Sequence, residues 1–276
     1  MPIRPRERNF LQGLVADRPL SRDAGAIALW FANHHHLGTA LSRRVEYQPR
    51  HFEQARDLLR NHCLPVQFLG PDALRADAAQ YSGQSEKSGT VRPWANTVAV
   101  KPPAAPGGRW ASPWSQPGAF EVLTVEMACQ IPCERILTIE NFETFRYIEH
   151  YTWLMQAMGL STQSVMVLYR GDAITRADDA NQVLRHRAEP VWTFPDFDPA
   201  GLGIAAGLPR LERVFLPPHE FLRTQAHGPR ALDLFERSFS QRQATLEACE
   251  QPEIRSAWGL MKKLRAGLPQ EGMRDA

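Results

Sequence analysis

Three carboxylates stand where an α/β protein would place its chemistry. Glu140 closes the apolar run Arg135-Ile136-Leu137-Thr138-Ile139, and Asp196 and Asp198 follow a second one, Pro190-Val191-Trp192-Thr193-Phe194. Carboxylates gathered at one point repel each other unless a cation neutralises them. An oxygen-only donor set selects a hard ion, so Mg2+, or Mn2+ in its place, is the expected occupant. Such an ion activates water and stabilises charge that develops on a transferring phosphoryl group. Alone, an Asp-x-Asp is a routine turn. The strand-end spacing and the partner Glu are what raise the metal-binding interpretation above that one.

The elements that would carry these residues alternate regularly. Strands are expected at 135–140, 164–169, 190–194 and 213–216, with helices over 142–158, 175–187 and 199–208 between them. Gly159 ends the first helix and Pro199 opens the third. This βαβαβαβ order predicts an α/β fold with a parallel sheet and flanking helices. Such sheets bind ligands at the carboxyl ends of their strands. Upstream, Ser21-Arg22-Asp23 can cap a helix over 24–31, and Phe52, Ala55, Leu58 and Leu59 recur at helical spacing over 51–60. Residues 81–118 have loop composition, broken by one short strand, Thr97-Val98-Ala99-Val100. The expected organisation is a mainly helical, winged-helix-like region at 1–125, a catalytic α/β domain at 126–225 and C-terminal helices at 226–276, two of them split at Pro252.

Ile139-Glu140-Asn141-Phe142-Glu143-Thr144-Phe145, taken with Asp196-Phe197-Asp198-Pro199-Ala200-Gly201, resembles the Toprim domain of topoisomerases, primases and nucleases. The form here is most similar to that of JetD, the nuclease subunit of condensin-like plasmid-defence systems, and of its MksG relatives. The topoisomerase VI A subunit is a more distant likeness. The resemblance spans roughly residues 130–220. It implies a metal-dependent DNA endonuclease with Glu140, Asp196 and Asp198 as metal-binding carboxylates, and Glu140 also in acid–base chemistry. Asn141 and Glu143, and Asp172 after the second strand, are lesser candidates. The implied partners are DNA, separate SMC and kleisin subunits and a second copy of the chain. The motor would lie elsewhere, because no Gly-x-x-x-x-Gly-Lys-Ser/Thr loop occurs. A topoisomerase-like enzyme would need a Tyr nucleophile, with Tyr47 and Tyr81 upstream but in no matching motif. A primase would need a zinc module, and Cys129 and Cys133 stand alone. A DNA-binding or assembly subunit with a degenerate site is the non-catalytic alternative.

Charge patterning is compatible with a polyanionic partner. The 276 residues carry a net charge of +2, yet residues 1–60 hold ten Arg against six acids, and 134–200 hold ten acids against six Arg. Arg43, Arg44, Lys87, Arg92 and Lys101 are the candidate DNA contacts, with Arg109, Trp94, Trp110 and Trp114 in the same loop-rich stretch. His34-His35-His36 reads as a helix-end cluster, since consecutive helical side chains diverge. Cys63 and Cys249 read as buried small hydrophobes. No apolar run approaches the roughly 18 residues of a membrane span. With four cysteines and no secretory signal, a cytoplasmic location is the expectation.

Overall fold

The computed structural model describes residues 3–103, 116–159, 164–172 and 176–276. The chain divides into two compact units, Met1–Pro93 and Trp94–Ala276.

The first unit contains α1 (Pro5–Asp17), β1 (Ser21–Asp23), α2 (Ala26–His35), β2 (Thr39–Ala40), β3 (Arg44–Glu46), α3 (Pro49–Asn61) and α4 (Arg75–Ala79). β3 lies between β1 and β2 and is antiparallel to both. Ser21-Arg22-Asp23 is therefore a strand and not a helix cap, and α2 starts after Gly25. Leu11, Leu14, Phe31, Leu37, Val45 and Leu59 form its core. The periodic residues Phe52, Ala55 and Leu59 of α3 point inward as their spacing requires.

The second unit is an α/β layer structure. Its strands are β4 (Thr97–Lys101), β5 (Glu121–Thr124), β6 (Arg135–Ile139), β7 (Val165–Tyr169), β8 (Val191–Phe194) and β9 (Leu211–Val214). They form one sheet in the order β5-β4-β7-β6-β8-β9. The four strands β7-β6-β8-β9 run parallel, while β4 is antiparallel to both β5 and β7. The strand read as an island in a linker is thus part of the sheet, and the compact unit begins at Trp94, well before the expected boundary at 125.

Alternation along the central strands sorts the side chains onto two faces. Leu137, Ile139, Val167, Tyr169 and Phe194 face α6 (Phe142–Arg146), α7 (Thr152–Ala157), α9 (Pro199–Ala206), α10 (His219–Gln225), α11 (Pro229–Glu247) and α12 (Pro252–Leu264). Ile136, Met166, Leu168 and Val191 face α5 (Val125–Cys129) and α8 (Ala177–His186). On this second face the Thr138 hydroxyl donates to the Thr193 hydroxyl at 2.9 Å, satisfying two polar groups that would otherwise be buried at a cost.

The helix expected over 142–158 is broken. α6 ends at Arg146, a 3-10 turn covers Ile148–His150, and α7 restarts at Thr152. Tyr147 and Tyr151 leave helical geometry at the two breaks. The break turns the Tyr151 ring onto Phe194 and its hydroxyl to within 3.0 Å of the Thr144 hydroxyl. Ring burial and a satisfied hydroxyl offset the lost helical bonds.

Candidate functional site

Register brings the ends of the strands that precede the carboxylates to one level. Ile139 pairs with Tyr169 on one side and Phe194 on the other, so the residues that follow all three strands leave the sheet at one level. Glu140 is the first residue beyond β6. Asn141 then caps α6, its side-chain oxygen accepting from the Thr144 amide at 2.9 Å. Beyond β8, Asp198 caps α9 by accepting from the Gly201 amide at 2.7 Å, with Pro199 in the first turn. Gly201 is required by proximity: a Cβ there would stand 2.6 Å from the Asp196 carbonyl oxygen and 3.0 Å from its Cβ.

The electrostatics distinguish the three. Glu140 is 15% exposed, and its Oε1 is buried with no hydrogen-bond partner among the described residues. Its Oε2 lies 3.9 Å from an Arg170 guanidinium nitrogen. Burial pushes the Glu140 carboxyl up to about 8; Arg170 opposes the shift, and Asp196 and Asp198 add to it. Burial also lifts Asp196 to about 6, against the pull of the Gln270 amide and with help from Asp198 and Glu271. Asp198 is raised by burial, opposed by the Gly201 and Ala200 amides. Asp196 and Asp198 thus raise Glu140, and the positive charge of Arg170 beside Glu140 and of Arg237 toward Asp198 offsets burial only in part.

A hard divalent cation fits this donor set, because it would partner the orphan Glu140 oxygen and neutralise the repulsion. Among the described residues no three acidic, imidazole or thiol groups already enclose a point where an ion would sit. A cation here would have to compete for Asp196 and Asp198 with the Gln270 and Gly201 amides.

Two residues that no motif flagged complete the rim. After α12 the chain returns, and Leu268 pairs with Phe197 through reciprocal backbone bonds of 2.8 and 2.9 Å. This places Gln270 between the two strand ends, fully buried. Its amide N–H donates to Asp196 Oδ1 at 2.8 Å, and its side-chain oxygen accepts from the Asn141 amide at 3.0 Å. Its side-chain nitrogen donates to the Phe194 carbonyl. Next to it, Glu271 accepts from the Asn141 side-chain nitrogen at 2.6 Å. The only sequence signal was a non-helical Gly267-Leu268-Pro269 stretch after α12, which marks a turn but not where it lands.

The remaining candidates fall apart into groups. Arg43, Arg44, Lys87 and Arg92 are exposed, as is Trp94, while Arg109, Trp110 and Trp114 lie outside the described residues. Lys101 is a correction. It is fully buried on β4, between β5 and β7, and its ammonium pairs with Glu149, so it cannot reach a DNA phosphate. Tyr47 is buried in the core of the first unit and burial raises its hydroxyl, both unfavourable for a nucleophile. Tyr81 is half-buried, and Glu143 is exposed. Asp172 is exposed and bonds Tyr169. His34 folds back on Trp30, and His36 ends α2 in a left-handed conformation. Cys63 is exposed rather than buried, in a turn with positive φ, whereas Cys249 packs against the main core.

No curated protein matches the chain. A family model described as a domain of unknown function (DUF7281) matches residues 109–275. That span is more than half of the chain and takes in β5 to β9, all three carboxylates and the returning segment with Gln270. The chain belongs to this DUF7281 family.

Proposed function

We propose that the chain is a Toprim-type, metal-dependent endodeoxyribonuclease, the cleaving subunit of a condensin-like anti-plasmid or anti-phage defence complex. The observation that carries this reading is the buried Glu140 oxygen, without a protein partner among the described residues, beside Asp196 and Asp198 at the carboxyl ends of parallel strands. Mg2+ or Mn2+, when bound by these three residues, would supply Lewis-acid activation of water and of the phosphodiester. The backbone amides of Gly201 and Gln270 hold Asp198 and Asp196 in place. Glu140, ionised when it binds the cation, would also serve in acid–base chemistry at the site. The exposed Arg43, Arg44, Lys87 and Arg92 of the N-terminal unit, read as winged-helix-like, would hold the DNA backbone. SMC and kleisin subunits and a second copy of the chain are the proposed partners, in the cytoplasm.

The test is plasmid cleavage with Mg2+ or Mn2+ by the wild type, Glu140→Ala and Asp196→Ala. Loss of cleavage in both variants is expected; cleavage retained in both would defeat the site. If partner subunits are needed for cleavage, Mn2+ binding by the isolated chain is the deciding measurement.

A second reading, a DNA-binding or assembly subunit without catalysis, is favoured by one observation. Asp198 and Asp196 already serve as a helix cap and an anchor for Gln270. DNA binding by a wild type that takes up no Mn2+ would select it.

A further inference from the structure

We infer that Gln270 is a positioning residue that sets the separation between the Glu140 loop and the Asp196 loop, and through it the affinity of the site for a divalent cation. The inference rests on the reading of Glu140, Asp196 and Asp198 as one cation site.

The geometry is that of a clasp. One buried residue holds the amide of Asn141, immediately after Glu140, the carboxylate of Asp196, and the carbonyl of Phe194 at the end of β8. A carboxamide suits this place because it accepts with its oxygen and donates with its nitrogen at once. The clasp is fixed in turn. Leu268 is bridged to Phe197, and the Met273 carbonyl accepts from the Trp153 ring nitrogen at 2.7 Å. The segment also passes close to the third carboxylate: a Cβ on Gly267 would lie 3.0 Å from the Phe197 carbonyl and 3.2 Å from the Asp198 Cβ. All three proposed ligands, carried on two strand ends, are thereby referred to one segment that the chain delivers from some 70 residues beyond Asp198. A ligand set spread over separate loops binds a cation only as tightly as the loops are held at the right spacing.

The test is Mn2+ affinity of the full chain, read from the electron paramagnetic resonance signal of free Mn2+. Wild type is compared with Gln270→Met, which keeps side-chain length and loses both side-chain hydrogen bonds. Thermal unfolding of each protein without metal is recorded alongside. The expected result is a Mn2+ dissociation constant raised about 10- to 100-fold in a variant that still unfolds cooperatively. If Gln270→Met does not fold, Gln270→Asn, which keeps the amide and shortens its reach by one methylene, takes its place with the same expectation. Equal affinities in wild type and variant overturn the inference and leave the cation site standing. A wild type that binds no Mn2+ overturns the cation site and the inference with it.

Discussion

Two ionisable residues at opposite ends of the parallel strands, both largely withdrawn from solvent, are treated in opposite ways. Arg187 sits where the chain enters β8, with its side chain 5% exposed. It donates to the carbonyls of Ala128, Cys129 and Ile131 at 3.1, 3.2 and 2.6 Å and to the Cys133 sulfur at 3.1 Å, and it pairs with Glu189. Glu140, where the chain leaves β6, has an oxygen that meets nothing among the described residues, and its neighbours Asp196 and Asp198 worsen its position. A buried charge kept for architecture is saturated with partners, because each unmet one costs free energy. A buried charge left unsaturated weakens the fold and needs another reason to be kept.

The contrast is open to direct attack. Glu140→Gln should give the largest effect. The folded carboxyl holds its proton to about 8, the unfolded one only to about 4.5. Between those values the folded state binds more protons, so wild-type stability falls as pH rises through that window. The Gln variant lacks this loss. It should equal wild type near pH 4 and exceed it above pH 8 by a few kcal/mol, with about 5 kcal/mol as the ceiling. Mn2+ should close the gap by stabilising wild type alone. Thermal unfolding at both pH values checks this, and parallel curves would mean that Glu140 is not strained. Arg187→Ala should act in the other direction at every pH, costing about 3–5 kcal/mol in urea unfolding of the full chain. A loss below about 1 kcal/mol would show that its partners do not depend on it.

Asp198 allows a finer cut between architecture and chemistry. Asp198→Ala removes the α9 cap and should cost about 1 kcal/mol, whereas Asp198→Asn keeps the cap and should cost a few tenths. Both should weaken Mn2+ binding, and wild-type affinity in the Asn variant would reduce Asp198 to a cap. The smallest effect is expected at the surface. Replacing Arg43 and Arg44 together with Ala should lower the log–log salt slope of DNA binding by about 2. Lys101→Met should leave that slope unchanged and reveal itself in stability. A slope lowered equally by Lys101→Met would contradict its burial.

The four parallel strands were legible because they alternate with helical stretches, whereas β5 and the place of β4 in the sheet were not, and Glu140, Asp196 and Asp198 were legible because they follow parallel strands. What was hidden depended on contacts distant in sequence. Gln270 lies in a Pro-Gln-Glu-Gly stretch with no local signal, and its importance comes from Asn141 and Asp196, more than 70 residues away. Lys101 looked like an exposed cation in a loop-rich stretch because its burial depends on β5 and β7 lying on either side. The break at Tyr147 and Tyr151 could not be read from helix periodicity, since it is tertiary packing on Phe194 that decides it.

Among the described residues β9 pairs only with β8 and so forms one border of the sheet. Such a border is a template for adding a further strand from another molecule. Here it is defended. A register shift distorts the pairing between β8 and β9, and Glu212 and Arg213 put opposite charges side by side along the border. The Glu212 carboxylate is held by the Trp192 ring nitrogen and Arg135, and its carbonyl by Gln251. The Arg213 guanidinium is tied to the Ala157 carbonyl. A strand added from another molecule across β9 would first have to displace the Gln251 side chain from the Glu212 carbonyl.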